Sequence, residues 1–420
     1  MLKLRSKPKI FYGWWMALSG FGILFYTSGV FFYGFSPFFD EILDEFGWGA
    51  GIAAGAFAFQ RLEQGIFGPV VGYITDRFGP RKSLLGGIFI LGVGFLLLSQ
   101  ITNLWQFYLS FGLLAFGLGF GSFLTVNTAV NAWFVRKRGR AMALVSYGPG
   151  LSSLLVPVIV AMIAFFSWRD ALIYMAIATW VLCIPLALVM RRSPEKYGLF
   201  PDGDDKPISD DPNMKQGQDF TLKQALRTSA YWKYALSSMC GFTFFSALVI
   251  HQYVAFKSFG LPEVWAATLV TLWPLASFPG RIVGGILVDM YDTRKVVAGA
   301  WAMQFIGAVT FVVIYNPLVG LIYAIVFGFG FGLGNPGRLA ILGEFFGRKA
   351  YGSLLGTQQF LSSMTGIIAP VYAGFMYDIY GADGYRLAFL SLALPGAISV
   401  YLYLSMKRPV INEPQTVSQG

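Results

Sequence analysis

Twelve apolar runs, each long enough to cross a lipid bilayer, follow one another along this chain and restrict its fold more than any other feature. A membrane-spanning helix needs roughly 20 apolar residues to bridge about 30 Å of hydrocarbon. The runs lie at about 12–38, 49–75, 83–101, 104–132, 141–166 and 168–190, then 230–256, 262–289, 296–314, 317–343, 351–377 and 385–406. Several exceed the minimum, which implies tilted helices or helices that project beyond the bilayer. Composition agrees, since 56% of the 420 residues are hydrophobic and only 12% charged, against about 25% charged in a soluble globular chain. The 50 glycines imply closely packed helices. A disordered scaffold, a collagen-like fibre, a disulfide framework and an ordinary cytosolic enzyme are excluded.

The net charge of +10 comes from 31 Lys and Arg against 21 Asp and Glu. Basic residues alternate from loop to loop. Arg77, Arg81 and Lys82 follow the second run, Arg136, Lys137, Arg138 and Arg140 the fourth, Arg294 and Lys295 the eighth, and Arg348 and Lys349 the tenth. The loop after the first run is acidic instead, with Asp40, Glu41, Asp44 and Glu45. By the positive-inside rule both termini are expected in the cytoplasm, with the chain in the plasma (inner) membrane. The basic excess is therefore a topology signal, and no nucleic-acid partner is expected. Cys183 and Cys240 lie in apolar runs and His251 is the single histidine, so neither a disulfide, a metal site nor a cofactor is expected. The basic start leads into an apolar run without a small-residue cleavage site, so no cleavable signal peptide is expected.

Between about 191 and 229 the chain turns polar and rich in turn formers, as in Pro201, Asp202, Gly203, Asp204 and Asp205. This reads as a cytoplasmic linker, with a short amphipathic helix near Phe220–Leu226. The domain reading is a six-helix bundle over 1–191, a linker over 192–229, a second bundle over 230–409 and a tail over 410–420. The halves repeat at an offset of 213: Gly72 and Asp76 fall on Gly285 and Asp289, Arg81 and Lys82 on Arg294 and Lys295. The same offset carries Gly117, Gly119 and Gly121 onto Gly330, Gly332 and Gly334, then Gly139 onto Gly352. Duplicated halves suit a transporter with a site at their interface. The Gly-x-Gly-x-Gly runs sit inside apolar spans and read as close helix contacts, not nucleotide loops.

Gly72-x-x-x-Asp76-Arg77-x-Gly79-x-Arg81-Lys82, echoed after the eighth run, resembles the hallmark loop of the major facilitator superfamily. That resemblance implies twelve helices in two pseudo-symmetric six-helix bundles. It also implies a gating role for Gly72, Asp76, Arg77, Gly79, Arg81, Asp289 and Arg294, with each acidic residue capping a helix of the other half. A carboxylate favours a helix N-terminus on physical grounds as well. Within the superfamily, Tyr12-Gly13-Trp14, Phe46-Gly47-Trp48 and Trp133-Phe134-x-Arg136-Lys137-Arg138-x-x-Ala141 resemble the monocarboxylate and oxalate/formate branch. The match is partial, because Arg140 replaces a leucine and Tyr147 a small residue.

Ionisable groups inside a membrane cost about 2.5–3.5 kcal/mol each on insertion scales and point to function. Five stand out here: Arg61, Glu63, His251, Arg281 and Arg338. Arg281 lies about two turns inside the membrane from Asp289, and its position matches the arginine that binds the substrate carboxylate in the resembling families. The alternative is a guanidinium that snorkels to the interface. Gln358 stands where oxalate carriers have a second cation, Ser277 and Tyr33 where vertebrate monocarboxylate carriers have an aspartate and a lysine. His251, beside Arg281, becomes the expected proton site, with Glu63 second and a plain hydrogen-bonding histidine the alternative. Arg338 either enters the cavity or snorkels. Tyr33, Asn127, Tyr147, Asn335 and Gln358 are expected to line the cavity. The resulting expectation is a monomeric carrier, not an enzyme, that moves a small organic anion with a proton by alternating access. A lactate- or pyruvate-like monocarboxylate is the expected cargo. An oxalate/formate-type exchanger is the alternative, and a multidrug exporter stands behind it.

Overall fold

The computed structural model describes residues 10–48, 50–204 and 218–410. The side chains of Tyr33, Arg61 and Glu63 lie outside the described set, as does the tail from 411 onward. The first six helices are α1 Tyr12–Phe46, α2 Ala50–Phe78, α3 Pro80–Leu98, α4 Leu104–Trp133, α5 Arg138–Phe165 and α6 Trp168–Val189. After the linker come α7 Ser229–Ser258, α8 Glu263–Met290, α9 Thr293–Val312 and α10 Pro317–Phe346. The last helical stretch, Tyr351–Leu404, is two helices joined at Gly381, whose backbone is left-handed at φ 59°. Stacking of Tyr377 on Tyr385 at 4.4 Å and a 3.0 Å bond between the Tyr372 and Ser391 hydroxyls show that the chain doubles back there. We call its limbs α11 (351–380) and α12 (382–404). Twelve membrane-length helices are thus present among the described residues, as the apolar runs require.

Helix starts follow from local chemistry. Asn103 opens α4 by accepting from the Gln106 N–H, and Asn316, at the 213-residue offset, opens α10 by accepting from the Val319 N–H. Both caps have nearly the same backbone angles, so the repeat extends to helix capping. The short linker helix Leu222–Leu226 begins in a capping box between Thr221 and Gln224. Three spans are less regular than their apolar patterns imply. α1 takes a π turn at Gly29–Tyr33, α4 breaks at Ser122, and α5 passes through a 3₁₀ turn at Ser152–Leu155.

The buried apolar residues fall into two clusters. One fills the first bundle and continues into the second through Tyr231, Leu339, Tyr351 and Leu354, all near the end that carries the basic loops. The other, built from Phe244, Phe256, Phe311, Tyr323 and Phe389, stays inside the second bundle. The halves therefore share a core at the basic end. Large apolar side chains such as Leu109, Ile368 and Val371 face outward, as lipid contact demands.

Candidate functional site

At the basic end each half grips the other through a carboxylate. Asp76, near the end of α2, accepts from the Gly352 N–H at 3.0 Å, the Ser353 N–H at 2.7 Å and the Ser353 hydroxyl at 2.6 Å. Gly352 and Ser353 lie in the first turn of α11, where N–H groups have no partner within the helix. Asp289, near the end of α8, accepts from the Gly139 N–H at 2.7 Å and the Arg140 N–H at 3.3 Å at the start of α5. Arg140 adds an ion pair to Asp289 at 3.3 Å. Four otherwise orphaned helix donors are thereby satisfied, with negative charge at the positive end of each helix dipole.

Close backbone approach makes these contacts possible. A Cβ on Gly72 would lie 2.2 Å from the Gly352 carbonyl oxygen, and one on Gly139 would lie 2.5 Å from that of Gly285. Gly79, at φ 92°, turns the chain from α2 into α3. Arg81 then donates to the Met190 carbonyl at 2.9 Å and to that of Leu188, closing the end of α6. Its repeat Arg294 donates to the Met406 carbonyl beyond α12 at 2.6 Å and pairs with Asp292 at 2.6 Å. Arg77 turns outward to the Tyr73 hydroxyl at 2.9 Å.

Further inside, Arg281 lies at the seam between α8 and α5. It is only 7% exposed and donates to the Ser146 carbonyl of the opposite half. Beside it Tyr147 donates to the Phe278 carbonyl at 2.6 Å, and the two rings stack at 5.5 Å. Arg281 and Tyr147 thus tie the same two helices together in opposite directions. A buried guanidinium facing a neutral carbonyl has donors suited to a carboxylate.

The structure separates His251 from Arg281, contrary to the sequence reading that set them side by side. The two His251 ring nitrogens bond the Tyr385 hydroxyl and the Pro370 carbonyl, each at 3.0 Å, on α12 and α11. At 1.5 Å per residue His251 stands about 33 Å along α7 from the basic end, and Arg281 about 14 Å along α8. Spacing fixed each residue's height on its helix but not the neighbours its face would meet. Arg338 packs within the second bundle, 5.8 Å from the Trp301 ring and 5.9 Å from that of Phe331. Asn127 is fully buried and bonds the Phe123 carbonyl of its own helix at 2.7 Å. Gln358 donates to Ser362 at 2.7 Å, and Asn335 is half-buried on α10.

Several polar groups at the basic end were not anticipated. Arg192 donates to the Asp76 carbonyl at 2.7 Å. Arg138 is buried where Gly343 of the other half closes over it and Asn131. Asp202 and Asp219 of the linker bind the two loops that lead into α5 and α11. The 213-residue offset would have located those loops, since Arg136 maps onto Lys349, but not their linker partners.

Duplicated six-helix bundles with interlocked helix ends are an architecture common among secondary membrane transporters. The family model of the Major Facilitator Superfamily matches residues 20–334 and 254–419. The chain belongs to that family. It is 25% identical to monocarboxylate transporter 13 of Bos taurus over 88% of this chain and 84% of the relative. It is 26% identical to human monocarboxylate transporter 11 over 94% of this chain and 83% of the relative. The crystal structure of the E. coli fucose:proton symporter FucP superimposes with a TM-score of 0.70 at 16% identity, covering 94% of this chain and 98% of the symporter. That likeness concerns the fold.

Proposed function

We propose that this transporter moves a small monocarboxylate of lactate or pyruvate type together with a proton, by alternating access. The observation that carries the reading is Arg281, a buried guanidinium at the seam between the halves that donates to a neutral carbonyl of α5. A carboxylate entering there offers two charged acceptors in place of a neutral one. Because the same guanidinium ties α8 to α5, substrate binding competes with a contact between the halves and so couples occupancy to their movement. The names of the two relatives point to the same cargo.

His251 is the proton site of this reading. In its neutral form Nε2–H donates to the Pro370 carbonyl while Nδ1 accepts from Tyr385. A second proton on Nδ1 keeps both bonds if the Tyr385 hydroxyl turns to accept. Protonation then acts by changing how α7, α11 and α12 are tied, not by touching the carboxylate. The domain bounds stated above, a cytoplasmic location for both termini and Glu63 as a second proton site complete the proposal. The basic end is thus the closed cytoplasmic side, held by Asp76 and Asp289.

An exchanger of oxalate/formate type is the second reading, and the containment of His251 within one bundle favours it. Uptake of a radiolabelled acid panel into proteoliposomes, with and without an inward proton gradient, separates the two. Stimulation by the gradient supports symport. Stimulation by internal substrate with no pH dependence supports exchange. Normal uptake by Arg281→Ala and Arg281→Lys would overturn the carboxylate assignment.

A further inference from the structure

The loops that enter α5 and α11 are each held by two carboxylates, and only one of each pair comes from the opposite half. In the first bundle, the Val135, Arg136 and Lys137 N–H groups all donate to Asp202, at 3.0, 2.8 and 3.1 Å. Further along, in the first turn of α5, the Gly139 and Arg140 N–H groups donate to Asp289. In the second bundle, the Arg348 and Lys349 N–H groups donate to Asp219 at 2.7 and 3.3 Å, and those of Gly352 and Ser353 donate to Asp76. Asp202 and Asp219 belong to the linker, and they are not equivalent under the 213-residue offset, although the loops they hold are.

Asp202 is built for this contact. It is 4% exposed and is the one residue other than glycine with a left-handed backbone among those described, at φ 61°. Such a conformation persists only where its surroundings over-determine it. The linker is joined to the gate further by a 2.7 Å ion pair from Glu195 to Arg348, whose guanidinium also reaches the Ala132 carbonyl at 2.9 Å. Each contact joins the first half or the linker to the loop before α11. The basic side chains of Arg136, Lys137, Arg138 and Arg140 offset the like charges of Asp202 and Asp289 on one loop.

We propose that Asp202 and Asp219 are positioning residues of the gate. By fixing the two loops, they preset the helix N-termini that Asp289 and Asp76 must find when the basic end closes. This inference rests on the alternating-access reading. The linker is then part of the closing machinery as well as a tether.

The test is the distance between spin labels at Lys82→Cys and Lys295→Cys in the full-length protein, with Cys183 and Cys240 replaced by alanine. Both label sites are exposed and equivalent in the two halves, so their separation reports opening at the basic end without any substrate. Asp202→Asn keeps the left-handed backbone, which asparagine tolerates. That variant and Asp219→Ala are each expected to raise the ratio of open to closed populations about fivefold, the loss of a net hydrogen bond. In an Asp289→Ala background the Asp202→Asn effect is expected to fall below about twofold, because both act on one joint. Asp219→Ala in an Asp76→Ala background behaves likewise. Unchanged distances in both linker variants, or effects that add fully to the gate variants, would overturn the proposal. If Asp289→Ala itself leaves the distances unchanged, the gating reading fails instead. Should one linker variant not fold, the other reads the same mechanism from the opposite loop.

Discussion

A carboxylate that accepts from main-chain N–H groups makes few demands on the side chains around it, and Asp76 and Asp289 both use that chemistry. What they require is approach, which Gly72 and Gly139 allow. Gly72→Ala is expected to hold the two backbones apart, since its Cβ would sit 2.2 Å from a carbonyl oxygen. The measurement is alkylation of a cysteine placed at Ser353: faster labelling in the variant than in a Gly72 control is the expected outcome. At Arg281, loss of the guanidinium is expected to reduce uptake at least a hundredfold, on the order of 3 kcal/mol for a charge-assisted pair. Circular dichroism and gel filtration should remain those of the parent.

The sequence made Asp76, Arg81 and their repeats legible because one offset linked them. It was silent on Asp202, since a Pro-Asp-Gly stretch reads equally well as a solvated turn or as a buried cap. Arg77, part of the same motif, faces Tyr73 and away from the clamp. A motif fixes spacing, and the direction of a side chain is settled by what packs beside it.

Most helices were legible to within a few residues, because apolar length is a direct requirement of the bilayer, but the acidic segment read as the loop after the first run is helical as far as Phe46. The irregularities of the helices were not legible. The π turn at Gly29–Tyr33, the break at Ser122 and the 3₁₀ turn at Ser152–Leu155 are as apolar or small as their flanks, so hydropathy does not register them. Helix caps carry their own prediction. Asn103→Ala and Asn316→Ala are each expected to cost about 1 kcal/mol, read as a lower midpoint of thermal unfolding in detergent. Tyr385 offers a test of the proposed proton site at this scale. Tyr385→Phe removes the partner of the His251 Nδ1, leaving an imidazolium with one unmet donor. Uptake at saturating substrate should then need a more acidic medium. An unchanged pH profile would remove His251 from the coupling mechanism.

For the whole molecule, the decisive feature is a core shared at one end and divided at the other. One buried cluster crosses between halves near Leu339–Leu355, whereas the Phe244–Phe389 cluster keeps to its own bundle. In the proposed alternating access, opening the basic end would have to separate packed apolar residues as well as the carboxylate clamps, so the two would act as one cooperative joint. The clamps are not identical twins. At the positions related by the offset, one has Arg140 and the other Ser353. Asp289 thus holds α5 partly through an ion pair with a half-exposed guanidinium, whereas Asp76 holds α11 through a hydroxyl and backbone. Dissolved salt screens the first kind of contact and hardly touches the second. Raising ionic strength should therefore weaken the Asp289 clamp more than the Asp76 clamp, and beside the latter it reaches only the neighbouring Glu195–Arg348 pair, so that the molecule yawns sideways, wider on its α5–α8 side than on the α2–α11 seam.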